Sequence, residues 1–162
     1  MVVYYTYKNI SSKDFILNCI EQYCASKNIE VKKPMKILKN ASGKPFVNIK
    51  SIKFNLTHSK GLTILVVSPY EVGIDAEKIR EINYEPIKAK FGLDDDIASS
   101  KDFLTLWVLK EAQAKMFGVS VIDCFRLNFP TLNYLSLDID KRFIIKIAVA
   151  DKGKCVDDII KI

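Results

Sequence analysis

The stretch Val72-Gly73-Ile74-Asp75-Ala76-Glu77 decides how this chain is read. Val72 to Ala76 has the β-branched, apolar character of a strand, and Pro69-Tyr70 punctuates the chain just before it. On a strand, Asp75 and Glu77 stand two residues apart and project from one face, where their oxygens can converge on a hard cation. Further on, Trp107-Val108-Leu109-Lys110-Glu111-Ala112-Gln113-Ala114-Lys115 reads as helix. At i and i+4, Glu111 and Lys115 share a helical face and offer a carboxylate and an ammonium one turn apart. Carboxylates on a strand facing that pair suit a Mg²⁺ bridging a polyphosphate.

Working outward, Val2 to Tyr7 predicts a strand, and Ser11-Ser12-Lys13-Asp14 supplies cap-like residues before the stripe Phe15, Ile16, Cys19, Ile20, Tyr23. That helix is expected to end near Ser26 to Asn28. Strands are expected at Met35 to Leu38, Ser51 to Asn55 and Leu62 to Ser68, separated by Asn40 to Pro45 and by His58 to Gly61. After the central strand, Glu85 to Phe91 predicts a short helix closed by Gly92, and Leu93-Asp94-Asp95-Asp96 is a loop rich in N-cap residues. The longest helix is expected from about Ile97 to Phe117, ended by Gly118. Phe125 to Leu127, Tyr134 to Ile139 and Phe143 to Val149 read as antiparallel strands, with Cys155 to Lys161 a further short element. The expectation is α+β: two similar lobes, residues 1–70 and 71–162, each a small, mainly antiparallel sheet packed on a helix, joined in one compact unit.

With 162 residues and 49% hydrophobic content, the chain can bury a core. No apolar run reaches membrane-spanning length and the start lacks a signal-like pattern, so a cytoplasmic protein off the membrane is expected. Cys19, Cys24, Cys124 and Cys155 show no paired CxxC spacing and read as reduced thiols. The net charge of +6 is uneven: residues 1–60 hold eleven lysines against three acidic residues, while the rest is slightly acidic. A basic half joined to a metal-competent half favours an anion bound across their junction. Lysine-rich composition without such a role is the plain alternative, since most lysines are simply solvated.

The remaining chemistry-bearing residues also have ordinary explanations. His58, the sole histidine, sits in Phe54-Asn55-Leu56-Thr57-His58-Ser59. A loop histidine with a routine hydrogen bond is one reading; a donor cluster with the Thr57 and Ser59 hydroxyls for phosphate oxygens is the other. No GxSxG elbow exposes a nucleophilic serine here. Gly43-Lys44-Pro45 is a turn by composition, and its functional reading puts Lys44 against an anion. Trp107 reads as core. Without nitrogen or sulfur donors nearby, Asp75, Glu77 and Glu111 suit Mg²⁺ and not zinc.

Taken in order, GKP at 43–45, FNLTHS at 54–59, GIDAE at 73–77 and WVLKEAQAK at 107–115 resemble the motifs of the Sfp-type 4′-phosphopantetheinyl transferases. The resemblance implies Mg²⁺-dependent transfer of 4′-phosphopantetheine from coenzyme A to a serine of an acyl or peptidyl carrier protein. It implies metal ligation by Asp75, Glu77 and Glu111, and catalytic roles for Glu111, as base, and Lys115, against the leaving phosphate. Lys44, Pro45, Thr57, His58, Lys110 and Lys115 are then the coenzyme A contacts, with Thr57 where the family commonly has Ser. The family usually carries a basic helical segment before GKP. Here 42 residues precede Gly43, and Lys8, Lys13, Lys32 and Lys33 are the candidates to replace it. A monomer is expected. The rivals are a catalytically impaired coenzyme A or carrier-protein binder of the same fold and, from the basic half, a nucleic-acid binder, which leaves the three carboxylates unexplained.

Overall fold

A computed structural model describes residues 1–31, 33–93, 96–127, 132–150 and 153–162. The expected contributions of Lys32, Asp94 and Asp95 lie outside the described residues.

The chain folds as α+β, with small sheets and helices. Strand β1 (Val2–Thr6) leads into α1 (Ser12–Ser26), followed by the two-stranded pair β2 (Ile37–Lys39) and β3 (Pro45–Val47). Then come β4 (Lys53–Ser59), β5 (Leu62–Ser68), β6 (Val72–Lys78), α2 (Glu85–Phe91), α3 (Ser100–Phe117), α4 (Val121–Arg126), β7 (Asn133–Ser136), β8 (Phe143–Val149) and β9 (Asp158–Lys161). One sheet runs β4-β5-β1-β9 and another β6-β8-β7; the pairs are antiparallel except β1 with β9.

Alternation along the strands sends side chains to two faces, and this produces the layers. Val3, Leu62, Ile64 and Val66 of the first sheet pack against Ile74, Ile145, Ile147 and Val149 of the second. On its other face the first sheet, through Tyr4, Leu65 and Val67, meets the α1 stripe of Phe15, Ile16, Cys19, Ile20 and Tyr23. The outer face of the second sheet meets α3, with Ala148 on Ala112 and Met116, and Ile144 on Leu104 and Val108. Each fully buried Ile, Leu or Phe contributes about 1.5–3 kcal/mol.

Local signals account for several boundaries. The Ser11 hydroxyl accepts from the Asp14 N–H at 3.1 Å and starts α1. Ser99 does the same for Asp102 at 3.2 Å, so α3 begins at Ser100, three residues later than the apolar periodicity suggests. Gly92 and Gly118 close α2 and α3 at φ of 56° and 70°, in the left-handed region.

Four expectations are corrected. The strand expected at Phe125 to Leu127 is the end of α4: Ser120 and Asp123 form a reciprocal capping box, which overrides the β-branched run that follows Ser120. The strand expected at Ser51 to Asn55 is β4, which continues to Ser59, because Lys60 and Gly61 at φ of 46° and 86° make a two-residue hairpin turn. His58 is therefore a strand residue opposite Thr63, not a loop residue. Pro45, expected in a turn, begins β3 opposite Lys39.

Candidate active site

Strand β4 is an edge of the first sheet and β6 an edge of the second, and the two lie side by side. They are joined by side chains. Asn55, Thr57 and Ser59, at alternate positions of β4, all face β6 and are buried. Asn55 Oδ1 accepts the Ile74 N–H at 3.0 Å, the Thr57 hydroxyl donates to Asp75 Oδ1 at 2.9 Å, and Ser59 Oγ accepts the Lys78 N–H at 3.2 Å. The Ser59 hydroxyl also lies 3.2 Å from Glu77 Oε2. This ladder turns both strand carboxylates toward the seam.

Helix α3 reaches the seam because Gly73 leaves room for it. A Cβ at Gly73 would lie 1.9 Å from the Ala112 carbonyl oxygen and 2.6 Å from the Met116 nitrogen, so the helix rests directly on the β6 backbone. Trp107, Glu111, Ala114 and Lys115 then form one stripe of α3, with Gly118 just past its end, facing a cleft of about 880 Å³. Asp75, Glu77, Thr57, His58, Lys44 and Pro45 line the same cleft.

The charges within it are unequally partnered. Asp75 is buried, and its Oδ1 accepts from Lys115 Nζ at 2.7 Å as well as from Thr57; Lys115 also donates to Thr57 Oγ1 at 3.2 Å. Glu77 Oε2 is paired with Arg80 at 2.8 Å. Glu111 has no hydrogen-bond or ion-pair partner among the described residues, though it is half-buried. Burial pushes its carboxyl above the usual range, and the negative charges of Asp75 and, less, Glu77 add to this against the opposing Lys115. Three oxygen-donor side chains line the cleft, Asp75 and Glu77 from β6 and Glu111 from α3, and have the chemistry for a hard divalent cation. Among the described residues, however, no three His, Cys, Asp or Glu side chains converge at metal-ligand spacing.

Two of the other candidates are differently occupied. Lys44 is 14% exposed, and its ammonium bonds Glu71 Oε2 and the Met116 carbonyl, each at 2.7 Å. The anion it faces in this structure is Glu71; burial raises that carboxyl, but hydrogen bonds from Lys44 and Lys53 outweigh it and hold it below the usual range. Lys110, one residue before Glu111 and so turned away on the helix, stands 5.7 Å over the Phe125 ring and does not line the cleft. His58 is exposed at the rim.

The 4′-phosphopantetheinyl transferase gsp of Aneurinibacillus migulanus is 34% identical to this chain over 88 residues, 49% of this chain and 37% of its own length. A second 4′-phosphopantetheinyl transferase, from Bacillus pumilus, is 35% identical over 89 residues, 49% of this chain and 38% of its own length. The chain is similar to these 4′-phosphopantetheinyl transferases over about half of its length. It is matched along under two-fifths of the length of these curated relatives. No family model matches the sequence.

Sequence reasoning missed two features of the cleft. Trp107, expected in the core, is half-buried and stacks on Phe103 at 5.9 Å while lining the cleft. Asn55 was not singled out, although a buried Asn at the alternation position of Thr57 and Ser59 is the signal that could have found it.

Proposed function

We propose that the chain transfers 4′-phosphopantetheine from coenzyme A to a serine of an acyl or peptidyl carrier protein, releasing adenosine 3′,5′-bisphosphate. The observation that carries this is the unpartnered Glu111 carboxylate sharing one cleft with Asp75, Glu77 and Lys115, in a chain related to enzymes named for this transfer.

In this reading the carrier serine hydroxyl attacks the phosphorus that bears the pantetheine arm. A new P–O ester bond forms, the diphosphate P–O bond breaks, and the electron pair leaves with adenosine 3′,5′-bisphosphate. Glu111 takes the hydroxyl proton. Lys115 balances charge on the leaving phosphate. Thr57 and His58 lie toward the coenzyme A phosphates, and Lys44 and Pro45 toward the nucleotide, while Lys110, expected among these contacts, stands over Phe125 outside the cleft. Asp75, Glu77 and Glu111 would hold a Mg²⁺, which supplies charge neutralisation at the diphosphate. Residues 1–70 and 71–162 act as two lobes with the substrate at their junction, although β9 of the second crosses over to pair with β1 of the first; the cleft lined from β4, β6 and α3 supports a site at that junction. The protein works as a monomer in the cytoplasm; its four cysteines are free thiols, in keeping with a reducing compartment. No helix among the described residues is long and apolar enough to cross a membrane.

The test is mass spectrometry of an apo acyl carrier protein incubated with the chain, coenzyme A and Mg²⁺. The serine-containing peptide should gain the phosphopantetheine mass. An unmodified carrier together with retained coenzyme A binding would instead identify a binding protein of this fold.

A further inference from the structure

The β2–β3 hairpin is held at its two ends by different means. At its open end, Val47 is buried and packs, with Ile37, into the hydrophobic layer of α1. At its turn, residues 40–44, the chain closes on itself: Asn40 Oδ1 accepts the Lys44 N–H at 2.9 Å and the Asn40 carbonyl accepts the Gly43 N–H at 3.0 Å. Two strands and a turn are marginal alone, so the place of this turn depends on what it touches. Those contacts lie at the end of α3. A Cβ at Gly118 would stand 2.5 Å from Ser42 Oγ, so the turn rests against the helix terminus. The Lys44 ammonium bonds the Met116 carbonyl, one of the last four of α3 and so without a partner inside the helix, and Glu71 Oε2, just before β6. Lys53 of β4 takes Glu71 Oε1 at 3.1 Å. Residues 42–45 line the cleft, but Glu71 and Met116 do not; they border a separate hollow of about 900 Å³.

We propose that Lys44 is a positioning residue: its ammonium pins the 40–45 turn to Glu71 and to the end of α3, fixing one wall of the cleft, and does not itself meet the substrate. This rests on the coenzyme A reading proposed above. The two acceptors suit a cation, one being a carboxylate and the other the negative end of a helix. To reach an anion in the cleft the ammonium would have to leave both, and the Met116 carbonyl would lose the partner that the helix cannot supply. Met116 follows Lys115 directly and lies five residues after Glu111 on the same helix. The tie therefore sets the nucleotide-side wall and the reacting groups in register through one rigid element. A wall fixed beforehand need not be ordered when coenzyme A binds, and that is where Lys44 adds affinity.

Calorimetric binding of coenzyme A to the full chain tests this without reading transfer, and KM values from the transfer assay sharpen it. Lys44→Met should weaken coenzyme A binding roughly tenfold and raise the KM for coenzyme A in step, with the KM for the carrier protein unchanged. A merely structural tie would lower the folded fraction, and with it the apparent kcat, while KM held. Glu71→Ala separates a tie from direct contact by its sign. If Lys44 acts through Glu71, binding weakens several-fold; a lysine that met the substrate would be released by this change and bind it more tightly. The double variant should be no weaker than Lys44→Met alone, because both changes cut one tie. Lys53→Met removes the same charge beside the same carboxylate, leaves the Lys44 bonds in place and should shift the affinity far less. Tighter or unchanged binding in Glu71→Ala, equal effects of Lys44→Met and Lys53→Met, or an unmoved KM for coenzyme A would overturn the inference. If Lys44→Met does not fold, Glu71→Ala, at an exposed residue, decides by its sign alone. No coenzyme A binding by the unaltered chain would overturn both this inference and the transfer reading. The expected pattern of affinities in a chain that modifies no carrier protein would sustain the inference while refuting transfer.

Discussion

Helices α1 and α3 both lie on a sheet, but by opposite means. α1 presents Phe15, Ile16, Ile20 and Tyr23, large side chains that hold the helix off the strand backbone and fill the gap with hydrocarbon. α3 presents Ala112 and Met116 over Gly73, so helix and strand backbones touch, and the side chains that flank the contact, Glu111 and Lys115, face β6 carboxylates. Bulky packing makes a stable layer with little chemistry in it. Close packing on a glycine spends less hydrocarbon and places polar side chains of two elements within reach of each other. In the first interface function would tolerate change and stability would not; in the second both are tied to one atom of clearance.

The sharpest way to break this contrast is Glu111→Gln, which leaves the packing untouched. Carrier modification should fall by roughly 10²- to 10⁴-fold, as loss of a general base does, with the thermal unfolding curve of a folded protein retained. Full modification at saturating Mg²⁺ would remove Glu111 from the chemistry. On the α1 side, Phe15→Ala should cost about 3–5 kcal/mol in urea denaturation, while Mn²⁺ affinity of the folded fraction stays as it was. A matching loss of metal binding would mean that the two interfaces are not separable. Gly73→Ala should cost about 3 kcal/mol or more, the upper end of overpacking because both overlaps are with backbone, and should lower carrier modification by more than the folded fraction accounts for, because α3 must back away from β6. An activity loss that merely follows unfolding would show that the close approach is structural only.

The smallest effect concerns pH. Folding raises the Glu111 pKa, through burial first and the charges of Asp75 and Glu77 next. A carboxyl raised in this way adds stability below its unfolded pKa and loses that contribution as pH rises through the folded value. Glu111→Gln should therefore stabilise the ligand-free chain at neutral pH, and the gap should close as pH falls through the carboxylate range. Urea titrations at neutral and acid pH would expose a wrong sign.

What was legible beforehand followed periodicity and local chemistry. The α1 stripe, α2 with its Gly92 terminus, β5 and β8 were all readable because apolar spacing and turn residues agree there. The shared strand face of Asp75 and Glu77, and the shared helical face of Glu111 and Lys115, followed from the two repeats of strand and helix. What was not legible depended on partners distant in sequence. Nothing local says that Gly73 is there for Ala112, that Lys44 spends its charge on Glu71 and the end of α3, or that Trp107 is left half-open beside the cleft. Two errors were local competitions: a capping box outweighed β-branched residues at α4, and a two-residue turn carried β4 past His58.

The parallel pairing of β9 with β1 has a consequence for how the chain is made. Val2 pairs with Asp158 and Tyr5 with Lys161, residues separated by nearly the whole sequence. During synthesis β1 is made well before β9, and β5 can cover one side of it in the meantime. Its other side stays an open edge, able to recruit strands from neighbouring chains, until β9 has been made. The first sheet is thus opened early and sealed late, and a chain lacking Asp158–Lys161 would keep that edge open permanently.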